Sequence, residues 1–219
     1  MPGYLDVETW NRRKQFEFFK DFDNPYFNIC VSMDVTNLLG LTRATKKSFF
    51  ITYHFLSMKA ANEVESFRYR LRGERVLVHD RIHAGTTLLL PDETFTFVYF
   101  DYDENYEVFH ARGITSVEKA KAQGSRLDER EDQDDLIHHS VLPWATFTSI
   151  SHARNWGRQD SVPKIAFGKY REDGDRIRMP VSVEVHHALV DGLHVGQYFE
   201  RLENYFSTPR SALGLSESF

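Results

Sequence analysis

Two adjacent histidines close an apolar, strand-like run, and an Asp-Gly pair follows the second by four residues. The stretch is VSVEVHHALVDGLHVGQYFERLENYF, residues 181–206. Imidazoles titrate near neutrality, so such a pair can ligate a metal, sit satisfied in a core, or move a proton. Successive strand side chains face opposite ways, so His186 and His187 are not placed to chelate one ion together. His194 follows within the next helix, but no cysteine or carboxylate cluster completes a ligand set, and no metal site is expected. A buried histidine satisfied by backbone groups stays open on the residues alone. Asp191 and Gly192 permit a tight turn from strand into helix. That turn sets a carboxylate beside the histidine backbone and leaves one imidazole at the mouth of a sheet, where it can act as a general base on a hydroxyl or thiol.

The elements that must hold this turn show in the patterning. Runs such as TFTFVYFDY and RMPVSVEVHH alternate apolar and polar residues, and strands are predicted over 27–35, 75–79, 94–102, 145–151, 164–170 and 176–187. GDR at 174–176 marks a hairpin turn. KKSFFITYHFLSMKAANEV predicts a helix over 46–64. Another is predicted over 192–206, where Leu193, Val195, Tyr198, Phe199, Leu202 and Phe206 fall near helical spacing and Asp191 stands as N-cap. ENYEVFHARGITSVEKAKAQ predicts an exposed helix with Val108, Ile114, Val117 and Ala120 on one face, followed by a solvated acidic loop, DEREDQDD. Helices and strands in irregular order indicate an α+β fold rather than a doubly wound parallel one.

A length of 219 residues fits one domain with a sizeable core. The net charge of -5 does not point to nucleic acid. The single cysteine, Cys30, excludes an intrachain disulfide, and its apolar setting FNICVSMDV reads as a buried core thiol. No apolar stretch approaches the ~20 residues of a membrane span. The opening MPGYLDVETWNRRKQFEFF lacks the core of a signal peptide, so no membrane partner and a cytoplasmic location are expected. The 18 Phe and 10 Tyr suit a large core, an apolar pocket or a subunit interface.

HHALVDGLHV fits the pattern His-His-x-x-x-Asp-Gly and resembles the motif of the CoA-dependent acyltransferases. These include chloramphenicol acetyltransferases, dihydrolipoyl acyltransferase cores and peptide-synthetase condensation domains. Three further segments resemble the first of these, in order along the chain: LDVETWNRRKQFEFFKDF, HHSVLPWATFTSIS, and KIAFGKYREDGDRIRMPVSVEVHHALVDGLHV. The chain therefore resembles the type A chloramphenicol acetyltransferase family over nearly its whole length.

That resemblance implies a single acetyltransferase domain, 1–219, with a two-layer arrangement of a mixed, largely antiparallel sheet and packed helices. It implies acetyl-CoA as co-substrate, a small hydroxylated acceptor such as chloramphenicol, a role in antibiotic resistance, and a homotrimer with active sites between subunits. His187 would be the base that activates the acceptor hydroxyl for direct attack, its other ring N–H held by its own backbone carbonyl. His186 would be structural. Asp191 would pair with Arg12, and Ser140 would donate to the oxyanion. Trp144 and Tyr170 would line the coenzyme channel, and Phe18, Phe27 and Phe95 an apolar acceptor slot. This chain departs from the family at that slot. Phe19 stands for a tyrosine, Ala166 for a threonine, Phe97 for a small residue, and Ile150 and His152 for Phe and Leu. Arg154 and Arg158 follow, so a more polar, cationic rim is expected, and a different, anionic hydroxylated acceptor stands as the alternative to chloramphenicol. Two alternatives are another acyl donor or an amine acceptor, and a non-catalytic binder of small ligands.

Overall fold

A computed structural model describes residues 2–127, 133–155 and 160–216. Its strands are β1 (Gly3–Tyr4), β2 (Tyr26–Asp34), β3 (Tyr69–Arg72), β4 (Arg75–Val78), β5 (His83–Leu89), β6 (Phe95–Phe100), β7 (Leu136–Leu142), β8 (Lys164–Gly168), β9 (Arg171–Asp173) and β10 (Arg176–His186). Its helices are α1 (Arg13–Phe19), α2 (Thr36–Thr45), α3 (Phe49–Asn62), α4 (Tyr106–Gln123), α5 (Gly192–Ser207) and α6 (Pro209–Ala212). The main sheet runs β2-β10-β8-β7-β5-β6, with β9 folded back on β10, and β1-β4-β3 form a smaller sheet. Only β5–β7 and β7–β8 pair in parallel among the described strands. The fold is α+β with a mostly antiparallel sheet, as expected.

The two faces of β10 explain where chemistry can sit. Val181, Val183 and Val185 are buried in the core that the helices close. Ser182, Glu184 and His186 therefore point to the other face. Register sets Ala166 opposite Ser182 and Ser140 opposite Ala166, so Ser140 belongs to that second face. α3 runs through the core and is buried on most sides, so its polar side chains must find partners inside. His54 Nδ1 meets the Phe50 carbonyl at 2.8 Å and Nε2 the Thr86 hydroxyl at 3.1 Å. Ser57 reaches Tyr198 at 2.8 Å and His139 at 3.2 Å.

Several predicted elements shift. Lys46 takes a left-handed conformation, φ 55°, and ends α2, so the long helix begins at Phe49, with the Ser48 hydroxyl accepting from the Ile51 N–H. Residues 145–151 are not a strand. The strand lies earlier, at Leu136–Leu142, between two parallel neighbours where alternation is not required. α4 buries Tyr106, Phe109, His110, Gly113 and Ala120, whereas Ile114 is exposed. The acidic run after it falls partly, at 128–132, outside the described residues. Cys30 is not a core thiol: it is half-buried on the edge strand β2, opposite Ser182 in register.

Candidate active site

β10 ends at His186, and the chain turns through Ala188–Val190 into α5. His186 is buried. Its Nδ1 accepts from the Ala188 N–H at 3.2 Å, and burial, aided by the Arg154 charge, pushes its pKa down to about 4. His187 faces the other way and is half-buried, its ring stacked on Phe19 at 4.0 Å and 6°, with Phe27 tilted against it at 4.6 Å. The first histidine is structural and neutral, and the second is presented.

Arg12 holds the turn that presents it. Its Nε and Nη2 donate to the two Asp191 oxygens at 2.7 and 2.6 Å. Nη1 donates to the carbonyls of Leu189 (2.7 Å) and Ala188 (3.3 Å), and Nη2 also to that of His187 (3.2 Å). Burial alone would raise the Asp191 carboxyl, but the Arg12 hydrogen bonds and charge hold it below the ordinary carboxylate value. The forked guanidinium suits this many in-plane acceptors, which a lysine cannot match. The Asp191 N–H, at the start of α5, is taken by His194 Nδ1 at 2.9 Å.

One expectation fails here. His187 Nδ1 makes no hydrogen bond among the described residues, and lies 3.4 Å from Asp191 Oδ1. The His187 carbonyl accepts from Arg12 instead.

Two cavities adjoin at Ser140, the larger reaching to the side where α3 packs. The larger, about 910 Å³, is lined by Trp144, Tyr170, Phe49, Ile150 and Ser140 among others. The smaller, about 500 Å³, is lined by Phe95, Phe97, Tyr99, His138, Lys164 and Ser140 among others. Ser140, Phe95 and His152 belong to both.

A signature turn with a presented imidazole, beside a sheet face with two joined cavities, is an acyl-transfer layout. Residues 3–203 match the chloramphenicol acetyltransferase family. The chain belongs to that family. Chloramphenicol acetyltransferase 3 of Escherichia coli is 27% identical over 91% of this chain and 94% of its own length. A solved chloramphenicol acetyltransferase superposes with a TM-score of 0.88 at 25% identity, over 94% of this chain and all of its own. The dihydrolipoamide acetyltransferase of Azotobacter vinelandii shares the fold, with a TM-score of 0.66 at 18% identity, over 92% of this chain and 88% of that one. As a chloramphenicol acetyltransferase family member the chain is an acyltransferase.

The named residues fall into two groups. Arg12, Asp191, His187, Phe18, Phe19 and Phe27 gather around the strand-to-helix turn. Phe18 is 64% exposed, edge-on to Phe19 and tilted to Phe22. Ser140, Trp144, Tyr170, Phe95, Phe97, Ile150 and His152 line the cavities. Four residues of β10 and two strand spacings part the groups, roughly 13 Å along the strands and about 10 Å across them. One chain does not bring His187 and Ser140 to the same atom.

Ala166 lines neither cavity and is fully buried between Ser140 and Ser182. Arg154 does not make a cationic rim. It is buried against Glu184, pairs with Asp160 at 3.2 Å and lies 3.2 Å over the Tyr26 ring. Arg158 lies outside the described residues. Sequence reasoning assigned no role to His138, which lines the smaller cavity, or to Lys164 beside it. Both are polar residues in a strand whose pairing is long-range. Among the described residues, no group of three or more His, Cys, Asp or Glu side chains is placed to hold a metal ion. None of the described helices is long and apolar enough to cross a membrane.

Proposed function

We propose that this chain transfers the acetyl group of acetyl-CoA to a hydroxyl of chloramphenicol or a related small molecule, as a homotrimer with sites shared between chains. The observation that carries this reading is Ser140 at the junction of the two cavities. The larger cavity, with exposed Trp144 and Tyr170, has the volume and apolar walls for a pantetheine arm. The smaller has aromatic walls for an acceptor. A thioester carbonyl at their junction would meet both the acceptor oxygen and the Ser140 hydroxyl.

His187 of one chain takes the proton of the acceptor hydroxyl, whose oxygen then bonds to the thioester carbon. Ser140 of a neighbouring chain donates to the carbonyl oxygen as charge builds there, the step at which a fixed donor helps most. The carbon–sulfur bond breaks, and His187 returns the proton to the departing thiolate. The exposed Phe18 and Phe22 around His187 support an interface there, since a clustered apolar patch otherwise faces water.

We read residues 1–219 as one acetyltransferase domain in the cytoplasm, with a role in antibiotic resistance. The test is release of free CoA thiol from acetyl-CoA plus chloramphenicol, beside His187→Ala protein. Release that depends on His187 supports the reading. Full activity without His187 would sink it, and ligand binding with no release from any hydroxylated or amine acceptor would favour a non-catalytic binder.

A further inference from the structure

The smaller cavity has two unlike walls. Phe95 and Phe97 form an aromatic side, while His138, His152 and Lys164 sit on another side next to Ser140. An apolar slot for a purely apolar ring has no use for that polar side. Nε2 of His152 is buried and makes no hydrogen bond among the described residues, which is costly unless a ligand supplies one. His138 lines the cavity floor from β7, two residues before Ser140 and on the same face.

The charge at this wall decides what kind of group it suits. Lys164 is the only charged residue lining the cavity among the described residues. Its ammonium lies 3.3 Å from Asp160 and donates to the Ala153 carbonyl at 3.3 Å. Arg154 is matched by Glu184 and Asp160. Among the described residues two cations, Arg154 and Lys164, therefore face two carboxylates, Asp160 and Glu184, and neither cation is left free for an anion. Partial burial lowers the pKa of His152 below the ordinary imidazole value, so its neutral ring offers one donor and one acceptor, and His138, exposed on β7 beside it, offers the same pair when neutral.

We infer that His138 and His152 determine acceptor specificity: the preferred acceptor seats an aromatic ring against Phe95 and Phe97 and places an uncharged hydrogen-bonding substituent, such as a nitro or amide group, on the two imidazoles. This rests on the acetyl-transfer reading for where the acceptor sits, and it replaces an anionic acceptor with a neutral one.

The test is calorimetric binding of chloramphenicol and three analogues, with hydrogen, carboxamide or carboxylate in place of the para nitro group. It is run on the full-length protein and on His138→Leu, His152→Leu, His138→Asn and His152→Gln. The nitro and carboxamide compounds should bind within a few-fold of each other and about tenfold tighter than the hydrogen analogue, the effect of a satisfied buried hydrogen bond. The carboxylate should bind no better than hydrogen. Each Leu variant should erase most of the discrimination, and the Asn and Gln variants should keep it, which a merely destabilised protein would not reproduce. Tightest binding of the carboxylate, or unchanged discrimination in both Leu variants, overturns the inference. Parallel CoA-release assays separate the two readings, because discrimination in binding without any release would reject acetyl transfer and leave the specificity assignment standing.

Discussion

Arg12 grips both carboxylate oxygens of Asp191 and, with the same guanidinium, the carbonyls of His187, Ala188 and Leu189. One side chain from the N-terminal segment thus fixes the whole turn that presents His187. Removing either partner strands a buried charge, which typically costs about 3–5 kcal/mol. Asp191→Ala and Arg12→Ala should each lower the unfolding free energy obtained from urea titration by roughly that amount. Arg12→Lys keeps the charge but not the fork, so it should recover part of the stability and less of the turnover. Equal turnover in Arg12→Lys and unaltered protein would show that the turn does not depend on this geometry.

The separation of His187 from Ser140 predicts complementation. His187→Ala chains keep a good oxyanion donor, and Ser140→Ala chains keep a good base. Each should be poorly active alone. Unfolded together and refolded, they should form some sites with both groups intact and regain a clear fraction of the activity. Two parents that stay inactive when mixed, while still assembling, would place both residues in one chain's site.

Ser140→Ala on its own isolates the donor. Ser140 lines both cavities, and on the proposed mechanism its hydroxyl donates to the oxyanion of the transition state more than to either substrate. Loss of one such donor is worth about 3 kcal/mol, or roughly a hundredfold in turnover. The KM for each substrate should hardly move. A KM effect with unchanged kcat would make Ser140 a ground-state contact.

The sequence disclosed the turn better than the cavities, for a physical reason. His187, Asp191 and the start of α5 lie within a few residues, and their relation follows from strand alternation and helix capping. Ser140 sits in LIHHSVL, a strand buried between parallel partners, where two histidines mask the apolar pattern. Arg154 read as a cationic rim because its partners, Asp160 and Glu184, are joined to it only by the fold. The predicted face of α4 holds at Val117 and Ala120 and fails at Ile114, because Gly113 and His110, which share the buried face, carry no apolar signal. An added Cβ on Gly113 would lie 2.9 Å from Ile51 Cγ2, and that closeness defines the face.

Buried imidazoles set the acid side of stability. Burial pushes His54 and His186 down to about 4, against an ordinary 6.5. Below 6.5 the unfolded chain takes up protons that the folded chain refuses, so stability falls as pH drops toward 4 and levels off below it. Asp191, held below its usual value by Arg12, acts at still lower pH, where its protonation removes the pair. Each histidine contributes a slope of about 1.4 kcal/mol per pH unit across that window. Urea midpoints at pH 7, 6 and 5 should decline, and His54→Gln should flatten the decline by one such step even though it lowers stability at pH 7.

Gly168 offers a test of how the coenzyme side is built. It ends β8 in the wall of the larger cavity, and an added Cβ would lie 2.5 Å from Pro180 Cγ and 2.7 Å from Phe147 Cε1. Pro180 is held in β10, so the neighbour that must give is Phe147, on the loop between Trp144 and Ile150. Overpacking of this kind costs about 1–3 kcal/mol, and here the loop is the part with room to move. Gly168→Ala should therefore displace Trp144 and raise the KM for acetyl-CoA several-fold, with a smaller effect on the acceptor KM. His187 and its turn lie at the far end of β10, so the pH dependence of kcat should stay where it is. A changed pH profile with an unchanged acetyl-CoA KM would mean that strain at Gly168 travels along β10 to the base rather than into the loop.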